Sequence, residues 1–590
     1  VTETIVAHAR VTFGPTMAPV SITKDEPRAG TALRATVALL LVLLAIAGAW
    51  NHELWAYDEP REAEIARAMY RSGNYGVGEL NRRPFLDKPP LFTASVALAY
   101  RLVGHPSVLA GRLTVAAWAL ATLLVTAWLA RRLLGPGTGL LAALILATSY
   151  RFYSISREIL LDNGLATFAT ASIAFGAIAA REGSRGLAAL AALCLAGAFL
   201  TKGIVGVGIV GLVLLVDLIV RRDKRGLATL LHPVAWVAFV APVVVYFAAL
   251  LHTAGPHGRD YVVELFWNNQ IGRFMGTKQQ KTTEWHLYFS TWPEMLAFWV
   301  PFALLAMVHA ARRKDAALRF VLAWAVVPLV VLSFSSGRAR PYALPMLPAY
   351  ALLIAGWWRD TVASADTPQS ARRGIAVLMG IGAALLAVTV VVIGVREPGH
   401  LDFLEVVGAA VVLVAAGIWL ARHRDPAFGR SETAALLLGL VPLGALLVYS
   451  GGAMAARLDR VRGYTTIAEQ VDRVVGDREL DIFHLSNSYS GAFAFIADRS
   501  ALEFDAGFDP HGEHLMAELG PVEKNVALAQ AGAVTVISTA SRCELAVVWS
   551  GTREDDRGPK DWWKTFVILG RRKPGEPRRD PLEEMGFRIR

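Results

Sequence analysis

The 590-residue sequence predicts a polytopic α-helical membrane protein of about thirteen transmembrane helices, with juxtamembrane helices in its first outer loop, followed by a C-terminal extracytoplasmic α/β domain. Three observations predict it. Hydrophobic residues make up 54% of the chain and charged residues 18%, too apolar for a string of soluble domains and too long for a simple anchor. Apolar runs of spanning or near-spanning length recur as far as residue 450, and basic residues collect in every second connection between them. Beyond 450 the character changes: charge density rises and short β-like runs alternate with helical ones.

Residues 1–31 are polar and aperiodic and carry no signal ahead of a small-residue cleavage site, so they read as a cytoplasmic tail and the first apolar run as an uncleaved anchor. The spans of the 32–450 transmembrane domain fall near 33–51, 109–130, 137–156, 163–180, 187–201, 203–220, 233–251, 291–310, 318–336, 342–358, 373–394, 403–421 and 434–450. With the N-terminus inside, the inner loops carry Arg131-Arg132, Arg181 with Arg185, Arg221-Arg222 with Lys224-Arg225, Arg312-Arg313-Lys314, Arg359 with Arg372-Arg373, and Arg422 with Arg424 and Arg430. Each is basic, as the positive-inside rule requires.

That agreement holds only if 89–104 does not span. The segment is short and follows Pro89-Pro90, so it reads as a helix along the outer interface within the first outer loop, 52–108. An odd number of spans then leaves residues 451–590 outside. There 481–485, 533–537 and 565–569 read as strands, and 464–475 and 521–531 as helices, of a small α/β domain. The net charge of +10 reports topology rather than nucleic acid, for no basic groove with interleaved aromatics occurs. Cys194 lies in an apolar helix and Cys543 in the polar C-terminal part, which speaks against a disulfide. No internal repeat is visible, which disfavours transporters built from duplicated halves.

The outer face gathers the unusual polar residues. The first outer loop reads Tyr57-Asp58-Glu59-Pro60-Arg61-Glu62-Ala63-Glu64-Ile65-Ala66-Arg67 and then Phe85-Leu86-Asp87-Lys88-Pro89-Pro90. The second holds Arg157, Glu158 and Asp162, and a third Thr201-Lys202-Gly203. The long outer segment 252–290 includes Asn268-Asn269-Gln270 and Arg273, and a short one ends in Arg340-Pro341-Tyr342. Pro60 suits the first turn of a helix, and Ala63, Ala66 and Met69 recur at helical spacing, so an amphipathic helix on the outer interface is expected.

Each residue alone has a bland reading. Asp58 or Glu59 would cap that helix, Asp87-Lys88 would be a local ion pair, Asp162 would cap the next span, Lys202 would snorkel to the interface, and Arg340 and Tyr342 would be belt residues. Taken together, separated carboxylates and several cations on one face fit the handling of a phosphate-bearing substrate, with carboxylate as base and Lys or Arg on phosphate oxygens. A basic pocket at the membrane surface suggests a lipid phosphate.

These stretches, with Arg157-Glu158-Ile159-Leu160-Leu161-Asp162, Phe199-Leu200-Thr201-Lys202-Gly203 and Arg340-Pro341-Tyr342-Ala343-Leu344-Pro345, resemble the integral membrane glycosyltransferases of the GT-C type that use polyprenyl-phosphate sugars. The likeness is strongest to the bacterial lipid A aminoarabinose transferases, relatives of the protein O-mannosyltransferases. It implies a multi-pass protein of the bacterial inner membrane that moves a sugar from undecaprenyl phosphate to an acceptor at the outer, periplasmic face. On this likeness Asp58 is the principal catalytic carboxylate and Asp162 the second, while Arg61, Lys88, Lys202 and Arg340 bind donor or acceptor phosphate and Tyr342 lines the donor pocket. Glu59, Asp87, Glu158 and Arg273 support them.

Three departures stand out: Glu62 where these transferases usually have Tyr, Asp87 where they usually have Glu, and Asn268-Asn269-Gln270 where some relatives place His or Glu. The last leaves a divalent metal ion as an open question, and no other cofactor is implied. The expected reaction inverts the anomeric carbon, with a lipid A-type glycolipid as acceptor; a protein hydroxyl or a polysaccharide is the alternative acceptor. Membrane lipids are partners and nucleic acid is not. From other classes, a lipid or sugar transporter or flippase would set its ionisable residues near the bilayer midplane, whereas these lie at the outer ends of spans. A scaffold presenting the outer domain leaves the charged first loop unexplained.

Overall fold

The computed structural model describes residues 28–50, 52–55, 58–272, 286–334, 338–362 and 432–449, a few isolated positions between 408 and 498, and the C-terminal segments 480–483, 487–496, 502–503, 514–521, 545–553 and 564–571. The expected span 373–394, nearly all of 403–421, the strand at 533–537, all but the first residue of the helix at 521–531, Tyr57, Arg273 and Cys543 lie outside the described residues.

Helix α1 (Arg28–Ile46) corresponds to the first expected span. The segment expected as the first outer loop then folds on itself as α2 (Glu59–Ser72), the hairpin β1 (Gly78–Leu80) and β2 (Arg83–Phe85), and α3 (Leu91–Val103). Proline near its start opens α2 and Gly73 closes it at φ 71, a left-handed position that glycine takes without strain. Asn81 and Arg82 both have positive φ, 56 and 58, the conformation that lets a two-residue turn follow the twist of paired strands. Helix α3 starts just after Pro89-Pro90, where the sequence places a juxtamembrane helix.

The bundle follows with α4 (Val108–Leu134), α5 (Thr138–Ala147), α6 (Tyr150–Ile155), α7 (Asp162–Glu182), α8 (Arg185–Lys202), α9 (Ile204–Arg221), α10 (Lys224–Leu230) and α11 (Pro233–Ala254). After α12 (Gly258–Val262) come α13 (Leu287–Leu296), α14 (Val300–Arg312), α15 (Ala316–Phe334), α16 (Leu347–Trp357) and α17 (Glu432–Tyr449). Among the described residues, 7 helical stretches are long and apolar enough to cross a membrane. Leu144, Ile145 and Leu146 of α5, Trp324 of α15 and Leu352 of α16 are wholly buried in one apolar cluster.

Several expected spans are interrupted. The 137–156 run breaks between α5 and α6, where Thr148 Oγ1 donates to the Leu144 carbonyl (2.6 Å) and Ser149 Oγ to that of Ile145 (2.8 Å). Hydroxyls that bond back to the preceding turn satisfy themselves locally and loosen the helix there. The 291–310 run breaks at Ala297, whose φ of 47 ends α13 ahead of Pro301. Pro341, Pro345 and Pro348 turn the start of the 342–358 run into a tight 3-10 stretch, Arg340–Met346. The segment 252–290, expected to lie outside, is helical as far as residue 272, where the described part ends in a π-helical stretch, Val263–Gly272.

Helix ends rich in Arg meet at one end of the bundle. Arg132 pairs with Glu182 at 2.8 Å, the buried Asp217 accepts from Arg181 (3.0 Å) and Arg221 (3.1 Å), and Arg359 donates to the Leu134 carbonyl. In the C-terminal part, β3 (Leu480–Phe483), β4 (Leu502–Glu503), β5 (His514–Pro521), β6 (Leu545–Arg553) and β7 (Lys564–Arg571) form a sheet in the order β4-β3-β5-β7-β6. The β3 pairings are parallel and the β7 pairings antiparallel. Helix α18 (Asn487–Ile496), between β3 and β4, packs on α2. With α18 across it, α2 is buried on most sides, Glu59, Glu62, Glu64 and Arg67 included, so it is not a helix with a wet polar face as its spacing suggests.

Candidate functional site

Asp58 stands immediately before α2, yet its side chain makes no cap hydrogen bond to the helix. Half-exposed at 52%, its carboxylate instead meets Arg61 Nη1 at 2.8 Å. Arg61 turns its other nitrogen to the buried Glu62 (2.9 Å) and lies 5.6 Å over the Phe85 ring of β2. Burial works against the Arg61 charge, but Glu62, Asp58 and the nearby Asp87 outweigh it and hold the guanidinium above its ordinary pKa. This couples the start of α2 to the turn that carries Asp87 and Lys88.

Glu59 faces the protein interior and is fully buried. Arg112 of α4 grips it twice, Nε at 2.8 Å and Nη2 at 3.0 Å, while the amides of Trp55 (2.9 Å) and Ile159 (3.1 Å) donate to the same carboxylate. Glu59 therefore anchors α2 to α4 and to the segment before α7. Its signal in the sequence is Arg112 itself, a charge inside an apolar run that needs a buried partner.

Asp162 opens α7 and Lys202 ends α8, and the antiparallel packing of these helices joins them in a buried ion pair. The Lys202 ammonium also lies 3.8 Å from the centroid of the Tyr342 ring. Lys202 thus does not snorkel outward, for its side chain is only 4% exposed. Gly203 follows at φ 69, and Gln270 of the π-helical stretch lies directly against it. Asn269, next to it, donates to the Leu86 carbonyl at 3.0 Å, two residues before Lys88. A Cβ added at Gly164 would meet Phe92 at 3.2 Å and Thr201 at 3.4 Å, so the start of α3 rests beside the Asp162–Lys202 pair.

The half-buried Lys88 makes no ion pair among the described residues. Arg340 is 57% exposed and reaches Glu294 of α13 at 3.6 Å, a carboxylate that Arg151 also holds. Neither Glu294 nor Arg151 is singled out by its sequence context. Arg157 is buried, donates to the carbonyls of Tyr153 and Leu44 and lies 3.5 Å over the Tyr153 ring, which ties the segment between α6 and α7 to α1; Glu158 beside it is half-buried.

The arrangement sets Arg61, Lys88 and Lys202, with the carboxylates Asp58 and Asp162, at the end of the bundle away from the Arg-rich helix ends. Ammonium and guanidinium groups there can neutralise a phosphate, and a half-exposed carboxylate beside them can accept a proton. The donor set suits a metal poorly: Asp58 and Glu62 are already engaged by Arg61, and among the described residues no three His, Cys, Asp or Glu side chains converge as ligands.

Residues 87–252 match the family described as dolichyl-phosphate-mannose-protein mannosyltransferase. The chain is 28% identical over 422 residues to the undecaprenyl phosphate-alpha-4-amino-4-deoxy-L-arabinose arabinosyl transferase of Edwardsiella ictaluri, covering 69% of this chain and 70% of that one. To the transferase of the same name from Pseudomonas aeruginosa PAO1 it is 28% identical over 502 residues, 81% of this chain and 86% of the other. The crystal structure of ArnT from Cupriavidus metallidurans bound to undecaprenyl phosphate superposes with a TM-score of 0.67 at 19% identity, over 92% of this chain and 98% of that one. The fold is that of a polytopic helical membrane protein with the architecture of this GT-C structure. Within that type the chain is ArnT-like, in sequence and in fold.

Proposed function

We propose that the protein is a glycosyltransferase that moves a sugar from a polyprenyl phosphate, undecaprenyl phosphate by its likeness to the aminoarabinosyl transferases, to a lipid A-type glycolipid at the outer face of the inner membrane. The observation that supports this reading is the Lys88 turn between two charged clusters: Phe85 of that turn lies under Arg61, the partner of Asp58, while the Leu86 carbonyl accepts from Asn269, whose neighbour Gln270 lies against Gly203, next to the Lys202 that pairs with Asp162. The Arg-rich helix ends at the opposite pole support an outward site under the positive-inside rule. The contact of α18 with α2 supports an extracytoplasmic C-terminal domain and an odd number of spans, thirteen by the sequence count.

In the proposed reaction an acceptor oxygen attacks the anomeric carbon as the bond from that carbon to the carrier phosphate breaks, with inversion. Lys88, Lys202 and Arg61 take up the charge left on the departing phosphate. Where the acceptor is a hydroxyl, Asp58 takes its proton; where it is an ionised phosphate, Asp58 orients it. Arg61 holds that carboxylate in place through the 2.8 Å ion pair. Asp162 holds Lys202 in place through the buried ion pair, and Tyr342 covers its ammonium.

The match of residues 87–252 to the protein mannosyltransferase family favours one second reading, a protein hydroxyl as acceptor. Extracting glycolipids from cells with and without the protein and comparing their masses separates the two. The first reading expects a sugar-bearing lipid A species that disappears with the protein. An unchanged lipid profile rejects it.

A further inference from the structure

Among the described residues, the C-terminal part touches the first outer loop at four points. The Thr465 amide donates to Glu53 at 3.0 Å. Gly491 of α18 lies so close to the start of α2 that an added Cβ would stand 2.8 Å from Arg61 Cα, 3.0 Å from its amide nitrogen and 3.1 Å from the Pro60 carbonyl oxygen. Phe495 packs with the apolar cluster of α2, α3 and α4, its ring 6.4 Å from that of the wholly buried Tyr100. Just beyond α18, one oxygen of Asp498 takes Arg67 Nη1 at 2.8 Å and Arg71 Nη2 at 2.5 Å.

Arg67 and Arg71 are one helical turn apart on α2, so a single carboxylate that reaches both fixes the rotation of the helix about its axis. Asp498 makes that reach from a left-handed backbone, φ 54, which costs a side-chain-bearing residue energy and persists where its surroundings demand it. Arg67 is nearly buried and already holds Glu64 through two hydrogen bonds, 2.6 and 2.7 Å, so the bridge extends a buried ion pair outward to Asp498 and Arg71 at the surface. Gly491 sets the distance between the two helices at the residue that grips Asp58. None of these groups belongs to the Asp58, Lys88 and Lys202 site.

We propose that α18 is a brace for the catalytic end of α2: Gly491 sets its separation and Asp498 its rotation, so that the C-terminal domain positions Asp58 and Arg61 without contributing a reacting group. The brace rests on the reading of Asp58 given above. Gly491 and Asp498 are positioning residues. A displacement of the order of an ångström at a reacting group lowers turnover by up to about a hundredfold without abolishing substrate binding.

The test compares Asp498→Ala, Asp498→Asn and Gly491→Ala with the wild type in detergent or nanodiscs. Backbone hydrogen exchange over residues 58–66 is measured in each, and transfer is followed with undecaprenyl phosphate-4-amino-4-deoxy-L-arabinose and lipid A. The brace predicts exchange over 58–66 about tenfold faster in Asp498→Ala and Gly491→Ala, kcat about tenfold lower, and donor KM within about twofold of wild type. Asp498→Asn keeps one acceptor and a residue tolerant of the left-handed conformation, so it shows a smaller effect of the same kind. Asp498→Ala combined with Arg71→Ala loses no more kcat than Asp498→Ala alone. Wild-type exchange and wild-type kcat in Asp498→Ala and Gly491→Ala overturn the brace, as does a rise in KM with kcat unchanged. If wild type leaves the donor intact, the proposed substrate fails instead, and exchange over 58–66 alone decides the brace. A fully active Asp58→Asn sinks the role of Asp58 and leaves the exchange result standing.

Discussion

Replacing Lys202 by Met keeps most of the side chain and removes its charge from a site where ammonium and carboxylate are both less than a tenth exposed. Asp162 would be left buried without its counter-ion, which costs about 3–5 kcal/mol when one partner of a buried pair is removed. The contact with Tyr342 adds about 0.5–2 kcal/mol, so loss of the counter-ion dominates. Lys202→Met alone should therefore melt well below the wild type. Lys202→Met with Asp162→Leu removes both charges and should recover most of the loss, because an apolar pair of similar bulk is close to neutral with a buried ion pair. Affinity for the carrier should behave differently. A hydrogen bond to a charged group contributes about 1.5–3 kcal/mol, so both variants should bind undecaprenyl phosphate roughly ten- to a hundredfold more weakly. Thermal unfolding in detergent reads the first quantity and titration with undecaprenyl phosphate the second. Wild-type carrier affinity in the restored double variant would refute the reasoning, for it would make Lys202 half of a structural pair and nothing more.

Glu59→Gln should leave Arg112 buried without its counter-charge and destabilise the protein by about 3–5 kcal/mol, read as a drop in the thermal midpoint; an unchanged midpoint contradicts the anchor. His52, its ring stacked on Trp55 at 3.9 Å, is lowered from 6.5 to about 4 by burial and then by the neighbouring Arg112. Its folded pKa lies below its unfolded one, so its contribution is present above pH 6.5 and is lost as pH falls toward 4, roughly 3 kcal/mol in all. Stability measured against pH should fall less steeply over that window in His52→Gln, and identical slopes would remove His52 as the cause.

The alternation of apolar runs and basic connections is a periodic, local signal, and so the described helices and the gathering of Arg at one end of the bundle are legible from the sequence. Whether a run stays one helix is less so: the break at Thr148 and Ser149 depends on two hydroxyls bonding backward, and that at Ala297 on a single unusual φ. Asp162 and Lys202 read as a cap and a snorkelling lysine only when taken singly; that they pair is not legible, because nothing nearby in the chain shows that α7 and α8 pack with those ends together. Arg112 announces that a partner exists but not that it is Glu59. Asp498 carries no signal, since its role depends on where a distant domain docks. The charges of α2 likewise read as a solvated face because their cover, α18, lies more than 400 residues away.

The most direct test of the central claim is the transfer reaction with purified protein, undecaprenyl phosphate-4-amino-4-deoxy-L-arabinose and lipid A, comparing wild type with Asp58→Asn. The account predicts that wild type adds the sugar to lipid A and releases undecaprenyl phosphate, while Asp58→Asn folds as the wild type does and leaves both substrates unchanged. An Asp58→Asn variant that transfers at the wild-type rate would contradict it.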